Sequence, residues 1–497
     1  MGVILKQSVQ NTVISYLGVA LGFVSTILLF PNILTADQYG LTRFLLSPAF
    51  VFAQFAHLGI KNVVIRYFPY FKHTRDSRSR LFTLTVLVAM VGFLIFSLLF
   101  FSLENILIDY YQEKSPLFTE YYLYLVPLVF AILFFETLNN YVRALQDSIT
   151  GSFLNEVVMR VLIIILLIVH FFDFISFELF MVGFVSSYCL QPLYLAVYLY
   201  RRDELTFSNP INDNIRRLAK SMSVYGLYSL LGGITVHLVG NIDIIMLGSL
   251  SDLANTAVYA IAFYVGSVIT VPQRSILKIA IPVLADLIKE KKHEQILNLY
   301  RRTSLNQIIA GSLLFIGIWA NMHNLLGLLP EAYQGAKWVI ITIGAAKLFD
   351  MATGINGGII MNSKYYRFDL YTNILLVILT ITTNYLLIPT YGIMGAAIAT
   401  AFSIFVYNAI KMVFVWIKFS MQPFQWTAPV VLLIAAVCLL LSFEIPYLFN
   451  FYFDVILRSL LIAIVFLGSI LLFNLSDDLK SLVNETLKRT GDLLHKK

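Results

Sequence analysis

Apolar segments of about 20 residues fill almost the whole chain, and this pattern restricts the fold more than any other feature. A helix of about 20 apolar residues is long enough to cross the ~30 Å hydrocarbon core of a bilayer. The 497 residues are 59% hydrophobic and only 13% charged, whereas soluble domains carry about 25% charged residues. The sequence therefore predicts an all-α polytopic membrane protein. We expect about fourteen transmembrane helices, near residues 9–30, 42–62, 81–103, 121–141, 153–172, 178–200, 223–248, 257–280, 304–325, 338–361, 369–388, 392–417, 427–443 and 453–474.

The second half of the chain repeats the first at an offset of roughly 213 residues. Glu136 in one predicted helix has its counterpart in Asp350, and Pro69 matches Pro282 in the same way. A carboxylate at the centre of a membrane helix costs about 2.5–3.5 kcal/mol, so two of them at equivalent positions indicate a duplicated design. Many transporters are built from repeated helical bundles of this kind.

The loops alternate in charge, and this alternation predicts the topology. Basic residues are concentrated in every second loop, as at 72–80, 201–220 and 289–302, whereas loops such as 104–120 are mainly acidic. Basic loops stay in the cytoplasm, so both termini are predicted to be cytoplasmic and the two lobes to be parallel. The predicted organisation is an N-terminal six-helix lobe (1–200), a cytoplasmic linker (201–220), a C-terminal six-helix lobe (221–420), two extra transmembrane helices (421–475) and a cytoplasmic amphipathic tail (476–497).

Composition and motifs exclude several functional classes. The formal net charge of +7 comes from short loops between apolar segments, where bases set topology, and does not indicate nucleic-acid binding. Cys189 and Cys438 both lie in apolar segments, and no zinc spacing is present. The chain has no Walker A loop, no H-E-x-x-H and no G-x-S-x-G, and its outer loops are short. These features favour transport over catalysis.

Polar residues inside the predicted helices are the candidate binding residues. The fourth helix carries Glu136, Asn140 and Arg143 as a polar stripe toward its cytoplasmic end, and the tenth carries Lys347 and Asp350. Lys347 and Asp350 are three residues apart and can form an ion pair. Such a pair either stabilises the helix bundle or lines a water-filled cavity. A water-accessible cavity between the lobes accounts for both stripes together.

Three further charged residues are ambiguous. Arg43 opens the second helix, where an arginine either extends toward the membrane surface or takes part in a site. Arg274 ends the eighth helix on the cytoplasmic side, where topology alone also places bases. Asp243 lies toward the outer end of the seventh helix.

The sequence resembles the polysaccharide and O-antigen flippases, the oligosaccharide-flippase type of the multidrug, oligosaccharidyl-lipid and polysaccharide exporter superfamily. The resemblance covers residues 5–475, and its order and spacing are more specific than any single motif. The segments that carry it are Leu-Phe-Pro-Asn-Ile-Leu-Thr-Ala-Asp-Gln-Tyr-Gly-Leu (29–41), Val-Gly-Asn-Ile-Asp-Ile-Ile-Met-Leu-Gly (239–248), Pro-Val-Leu-Ala-Asp-Leu (282–287) and Tyr-Gly-Ile-Met-Gly-Ala-Ala-Ile-Ala-Thr (391–400).

The resemblance implies a function. A glycan on a polyprenyl diphosphate would move from the cytoplasmic to the outer leaflet of a bacterial inner membrane by alternating access of the two lobes. Asp243 falls where the family commonly has an acidic residue, and Arg43, Arg274 and Lys347 are the nearest matches to its diphosphate-binding bases. No cofactor is implied, and whether H⁺ or Na⁺ is a coupling ion is left open; the partners are the lipid-linked glycan, membrane lipids and other polysaccharide assembly proteins. A lipid II flippase, a multidrug antiporter of the same superfamily and a non-transporting scaffold are the alternatives.

The topology can be tested by labelling single cysteines placed in each loop, in a background without Cys189 and Cys438. We expect residues 72–80, 201–220 and 289–302 to react only from the cytoplasmic side, and residues 104–120 to react from outside the cell. Labelling of the 201–220 segment from outside would overturn the topology.

Overall fold

The fold is described from a computed structural model, which covers residues 2–210, 213–447, 450–481 and 483–484. Throughout these ranges the regular structure is helical, with no β-strand. Large apolar side chains remain exposed on the outer faces of helices, as Leu98 and Leu472 do. A helical protein with apolar side chains both inside and on its surface is suited to a lipid environment. The predicted all-α membrane fold is confirmed.

The α-helices are numbered in chain order. They are α1 (Gly2–Phe23), α2 (Phe30–Ile33), α3 (Ala36–Ala56), α4 (Ile60–Phe71), α5 (Arg75–Ser102), α6 (Glu104–Tyr111), α7 (Pro116–Tyr121), α8 (Leu125–Ala144), α9 (Ile149–Phe153), α10 (Met159–Phe171), α11 (Phe177–Arg201), α12 (Asp213–Leu250), α13 (Leu253–Ser267), α14 (Val271–Lys289), α15 (His293–Ala320), α16 (Met322–Gly327), α17 (Ala336–Ala352), α18 (Asn356–Met361), α19 (Tyr366–Phe419), α20 (Thr427–Phe443) and α21 (Phe451–Leu472). Short π-helical or 3₁₀ turns join some of them, at Val24–Leu29, Tyr122–Tyr124, Leu154–Val158, Val268–Thr270 and Glu331–Tyr333.

The number of membrane-crossing helices depends on how bent helices are counted. In the described ranges, 9 helices are long and apolar enough to cross a membrane, and 11 do so if each of two bent pairs is one crossing. This count does not confirm the predicted fourteen. Part of the difference lies in α19, which covers two predicted helices and has a non-helical backbone at Gly392 (φ 54°).

Contacts along α19 show that its two arms are antiparallel. Lys411 contacts Asp369, Tyr407 contacts Asn373, and Ser403 contacts Thr383. The sequence midpoints of all three pairs fall close to Gly392, as they must in a hairpin. Glycine suits this turn because a positive φ carries no Cβ penalty there.

Contacts divide the chain into two compact units, Met1–Ala260 and Ile261–Lys497. Helix α12, which is predicted to open the C-terminal lobe, packs along α3 within the first unit. Gly233 lies against Gln54, and Gly248 lies against Phe44. The predicted lobe boundary at 201–220 follows the sequence repeat and stays a prediction.

A break between α3 and α4 shapes the first unit. The backbone at Leu58 and Gly59 is left-handed, with φ values of 48° and 78°. A Cβ on Gly59 would lie 1.9 Å from the carbonyl oxygen of Gly226 in α12, so the two helices cross backbone to backbone. The break therefore needs glycine both for its conformation and for this close approach.

In the second unit, α15, α20 and α21 share an apolar core with a buried ion pair at one end. Arg458 donates to Asp454 at 3.0 Å and to the carbonyl oxygens of Ser442, Ile445 and Pro446. Asn324 donates to Asp454 at 2.5 Å. These bonds hold the start of α21 against the end of α20.

The tail begins with one described turn. Arg302 and Asn306 of α15 donate to Asp478, and Leu479 packs against the apolar core of the unit. The hydrogen bond from the Arg302 guanidinium holds the pKa of the Asp478 carboxyl below its ordinary value. Most of the predicted amphipathic tail (476–497) lies outside the described residues.

Gly59→Ala should destabilise the protein by at least about 2 kcal/mol, because alanine is disfavoured at positive φ and its Cβ collides with Gly226. Thermal unfolding of the detergent-purified protein measures this. The matched control is Gly232→Ala in α12, where a Cβ meets nothing within 4 Å. An unchanged unfolding temperature for Gly59→Ala would contradict the close crossing.

Candidate functional site

A partly buried carboxylate in the first unit is hydrogen-bonded by two side chains on either side of the α3–α4 break. Glu136 of α8 accepts hydrogen bonds from Lys61 Nζ at 2.7 Å and from His57 Nε2 at 3.0 Å. Because a carboxylate only accepts, this nitrogen of His57 must carry the ring proton. Lys61 Nζ also donates to Gln54 Oε1 at 2.5 Å, and Thr137 Oγ1 lies 3.3 Å from His57 Nδ1.

Burial makes this pairing necessary. The His57 side chain is fully buried, whereas Lys61 and Glu136 keep 13% and 22% of their side-chain surface exposed. An unpaired carboxylate in an apolar interior costs several kcal/mol, and a positively charged partner with hydrogen bonds offsets that cost. The break at residues 57–59 brings two donors from consecutive turns onto one carboxylate.

Glu136 and Lys61 form part of the wall of a polar cavity of about 400 Å³ within the first unit. The predicted residues Asn140 and Arg143 line the same cavity. Asn140 is anchored by a bond from its Nδ2 to the carbonyl oxygen of Glu136, at 2.8 Å. The remaining lining residues are amides, an aromatic hydroxyl and apolar side chains: Asn62, Asn139, Asn155, Gln191, Tyr188, Phe50, Ile132 and Phe135.

The structure places the two other predicted residues of this unit elsewhere. The Arg43 guanidinium lies over the rings of Phe30 and Tyr39, 5.2 and 5.1 Å from their centres, and donates to Thr26. Asp243 is buried and accepts from the Tyr259 hydroxyl at 2.5 Å. Neither of these contacts involves Glu136.

In the second unit, Asp350 is bound by amides. Asn408 Nδ2 donates to it at 2.7 Å and Gln273 Nε2 at 3.4 Å. Lys347 and Asp350 do not form the ion pair that their spacing allows, and the Lys347 ammonium lies over the Phe263 ring, 5.3 Å from its centre. Arg274 is exposed on α14. The roles of Lys347, Asp350 and Arg274 in head-group or ion binding stay predictions.

The buried lysine of the second unit is Lys411, in the second arm of α19. It donates to Asp369 in the first arm at 2.6 Å and to the Tyr407 hydroxyl, and only 4% of its side chain is exposed. Asn373 completes the group, since it donates to Asp369 at 3.0 Å and accepts from Tyr407 at 2.8 Å.

Both repeat-related carboxylates accept a hydrogen bond from a side chain in the first turn of a helix. Glu136 is contacted by Lys61, in the first turn of α4 after a break, and Asp350 by Gln273, in the first turn of α14 after a 3₁₀ turn. This agrees with the sequence duplication, although the partner is a cation in one unit and an amide in the other.

Sequence reasoning missed His57, Lys61 and Lys411. Both lysines lie inside predicted membrane helices, at 42–62 and 392–417, and a carboxylate in a membrane needs a partner. A search for opposite charges within predicted helices would have found them.

Comparisons with known proteins agree with this architecture. A family model described as polysaccharide biosynthesis protein matches residues 4–288, which is more than half of the 497 residues. A probable low-salt glycan biosynthesis flippase of Haloferax volcanii, Agl15, is 22% identical over 225 residues. The chain spans about half the length of that relative, since the alignment covers 48% of it and 44% of this chain.

Two solved structures share the fold. The lipid II flippase MurJ in an inward closed conformation superposes with a TM-score of 0.72 at 11% identity, covering 94% of this chain and 99% of that one. An inward-facing multidrug resistance MATE family transporter of the MOP superfamily gives 0.61 at 16% identity, covering 82% and 94%.

Lys411→Met should destabilise the protein by about 3–5 kcal/mol, because it leaves the buried Asp369 without its cation. The double variant Lys411→Met/Asp369→Asn should recover most of that loss, and Lys418→Met, at the exposed end of the same helix, should change little. Thermal unfolding in detergent measures all three. Equal stability of Lys411→Met and the unmodified protein would refute the pairing.

Proposed function

Because the chain belongs to the polysaccharide biosynthesis protein family, we propose that it is a flippase for a polyprenyl-diphosphate-linked oligosaccharide. The head group moves from the cytoplasmic to the outer leaflet for surface polysaccharide assembly, with no covalent chemistry. Transport follows alternating access, in which the head group is exposed first to one side of the membrane and then to the other.

The observation that carries this proposal is the polar cavity around Glu136, inside an apolar helical unit. A glycan needs many hydrogen-bonding groups, and the cavity offers the amides of Asn139, Asn140, Asn155 and Gln191. A diphosphate needs cations, because phosphate oxygens bind ammonium and guanidinium groups strongly. Lys61 and Arg143 supply one of each.

Lys61 is hydrogen-bonded to Glu136 when no substrate is present. A diphosphate that enters the cavity competes with the carboxylate for the same ammonium group. Glu136 therefore keeps Lys61 positioned and neutralised between transport cycles, which lowers the cost of a charged cavity in the membrane.

The lining charges favour an anionic substrate over the cations that multidrug antiporters commonly carry. Two bases, Lys61 and Arg143, face the cavity with one acid, Glu136. A lipid II flippase uses the same head-group chemistry and stays the alternative within this class. The fold places the protein in a membrane as a multi-pass chain, and we propose a bacterial inner membrane with both termini cytoplasmic. Its other partners are then membrane lipids and polysaccharide assembly proteins.

Deletion of the gene should abolish a surface glycan while its lipid-linked precursor accumulates on the cytoplasmic side. Re-expression of Lys61→Met should fail to restore export, whereas Lys72→Met, at the exposed end of α4, should restore it fully. Surface glycan staining, extraction of lipid-linked precursors and quantitative immunoblotting measure these outcomes.

The double variant Lys61→Met/Glu136→Gln separates binding from stability. It removes both charges, so a pair that only holds the fold together predicts recovered export. Binding of the head group by Lys61 predicts normal protein levels and no export. Unchanged surface glycan after deletion, with new sensitivity to cationic dyes, would instead indicate an antiporter.

A further inference from the structure

A second cationic cleft lies in the first unit, between α4 and the start of α12. It has a volume of about 570 Å³. Its bases are Arg66, Arg217 and Lys220, and the other lining residues are Tyr67, Ser221, Val224, Tyr225 and Tyr228. None of these lining side chains is acidic. The predicted topology places this end of both helices at the cytoplasmic surface.

Contacts made by its lining residues hold the cleft in shape. The Arg66 guanidinium lies 4.2 Å from the centre of the Tyr225 ring, a cation–π contact that orients its planar donors. The Tyr67 hydroxyl and Ser221 Oγ are hydrogen-bonded at 2.6 Å. One turn further along, Asn62 donates to Ser229 at 2.6 Å, next to the tight crossing of Gly59 and Gly226.

Three other bases at this end of the unit differ, because they are paired with carboxylates. Arg75 pairs with Asp203, Arg78 with Glu204, and Arg80 with Asp76. The first two pairs fasten the start of α5 to residues 203–204, whereas the third lies within α5. Arg66 instead has an aromatic partner, which leaves its hydrogen-bond donors for an anion.

The cleft also adjoins the Glu136 cavity along one helix. Lys61 and Arg66 are five residues apart on α4, which is about 7.5 Å along a helix axis. Asn62, which lines the Glu136 cavity, bonds to α12 beside the cleft. An anion bound at Arg66 is therefore roughly one and a half turns of helix from the cavity cation.

We propose that this cleft is a capture site for a diphosphate group, where a lipid-linked diphosphate binds before it reaches the Glu136 cavity. The proposal rests on the proposed flippase function. Arg66 binds one phosphate with its planar donors, Lys220 neutralises the other, and the exposed Tyr228 ring provides an amphipathic surface for the adjoining sugar or prenyl carbons.

The test is direct binding to the full-length protein in phosphatidylcholine nanodiscs, with farnesyl diphosphate as the probe and farnesol as the uncharged comparison. Arg66→Gln and Lys220→Gln should each weaken farnesyl diphosphate binding about tenfold or more, as loss of a charged hydrogen bond does. Arg216→Gln, the adjacent exposed base outside the cleft, should change affinity less than about twofold.

Two competition arms identify the source of the anion. Competition by inorganic pyrophosphate at similar concentrations supports a diphosphate site that accepts soluble ligands as well, and weak competition supports a site for the lipid-linked form. Nanodiscs containing phosphatidylglycerol should leave the effect of Arg66→Gln intact. Loss of that effect, or equal affinities of Arg66→Gln and the unmodified protein, would overturn the proposal.

Export measurements separate this proposal from the function on which it rests. If the chain is not a flippase, gene deletion leaves the surface glycan unchanged, and the Arg66→Gln substitution has no effect on it either. If only the capture site is wrong, deletion abolishes the glycan, while Arg66→Gln/Lys220→Gln binds farnesyl diphosphate and exports glycan as well as the unmodified protein.

Discussion

The charge of Glu136 inside an apolar helical unit is the constraint on which much of the first unit depends. A carboxylate in that setting must be paired, and the nearest partners come from two consecutive turns around a broken helix. The break requires a left-handed backbone at Leu58 and Gly59. It also sets α4 directly against Gly226 of α12. The helix break thus both positions the two donors of Glu136 and allows the close crossing of α4 and α12.

The second unit meets the same constraint with different chemistry. Asp350 occupies the repeat-equivalent position, but two amides bind it, and the buried Lys411 in the hairpin of α19 is paired with Asp369 instead. Amides stabilise a carboxylate by hydrogen bonds without neutralising it, whereas an ammonium does both. The two units therefore share the position of the carboxylate, while the side chains that bind it differ in charge. A substrate anion would meet an exchangeable lysine beside Glu136 and none hydrogen-bonded to Asp350.

The fold class and part of the Glu136 site can be predicted from the sequence. Apolar length and loop charge predict a helical membrane protein, and the polar stripe on α8 leads to Glu136, Asn140 and Arg143, which share one cavity. Spacing along one helix misled at Lys347 and Asp350, because both side chains find closer partners on other helices. Lys61, which pairs with Glu136, lies 75 residues away from it in sequence, next to a helix break that is visible only in the folded chain. Local periodicity carries no information on such a contact.

Three ion pairs in the described part of the chain differ in what their cations border. Arg458 donates to Asp454 and to three backbone carbonyl oxygens in a buried setting. It is therefore not placed to exchange these partners for a ligand. The Lys411 side chain is still less exposed, at 4% against 10% for Arg458, and its partners are Asp369 and Tyr407. Lys61 has three donors, of which Gln54 and Glu136 take two, and it borders a cavity of about 400 Å³. A third donor on a cavity wall can bind an incoming anion before the bond to Glu136 breaks. An exchange of partners by that route would keep the lysine charge compensated at every step.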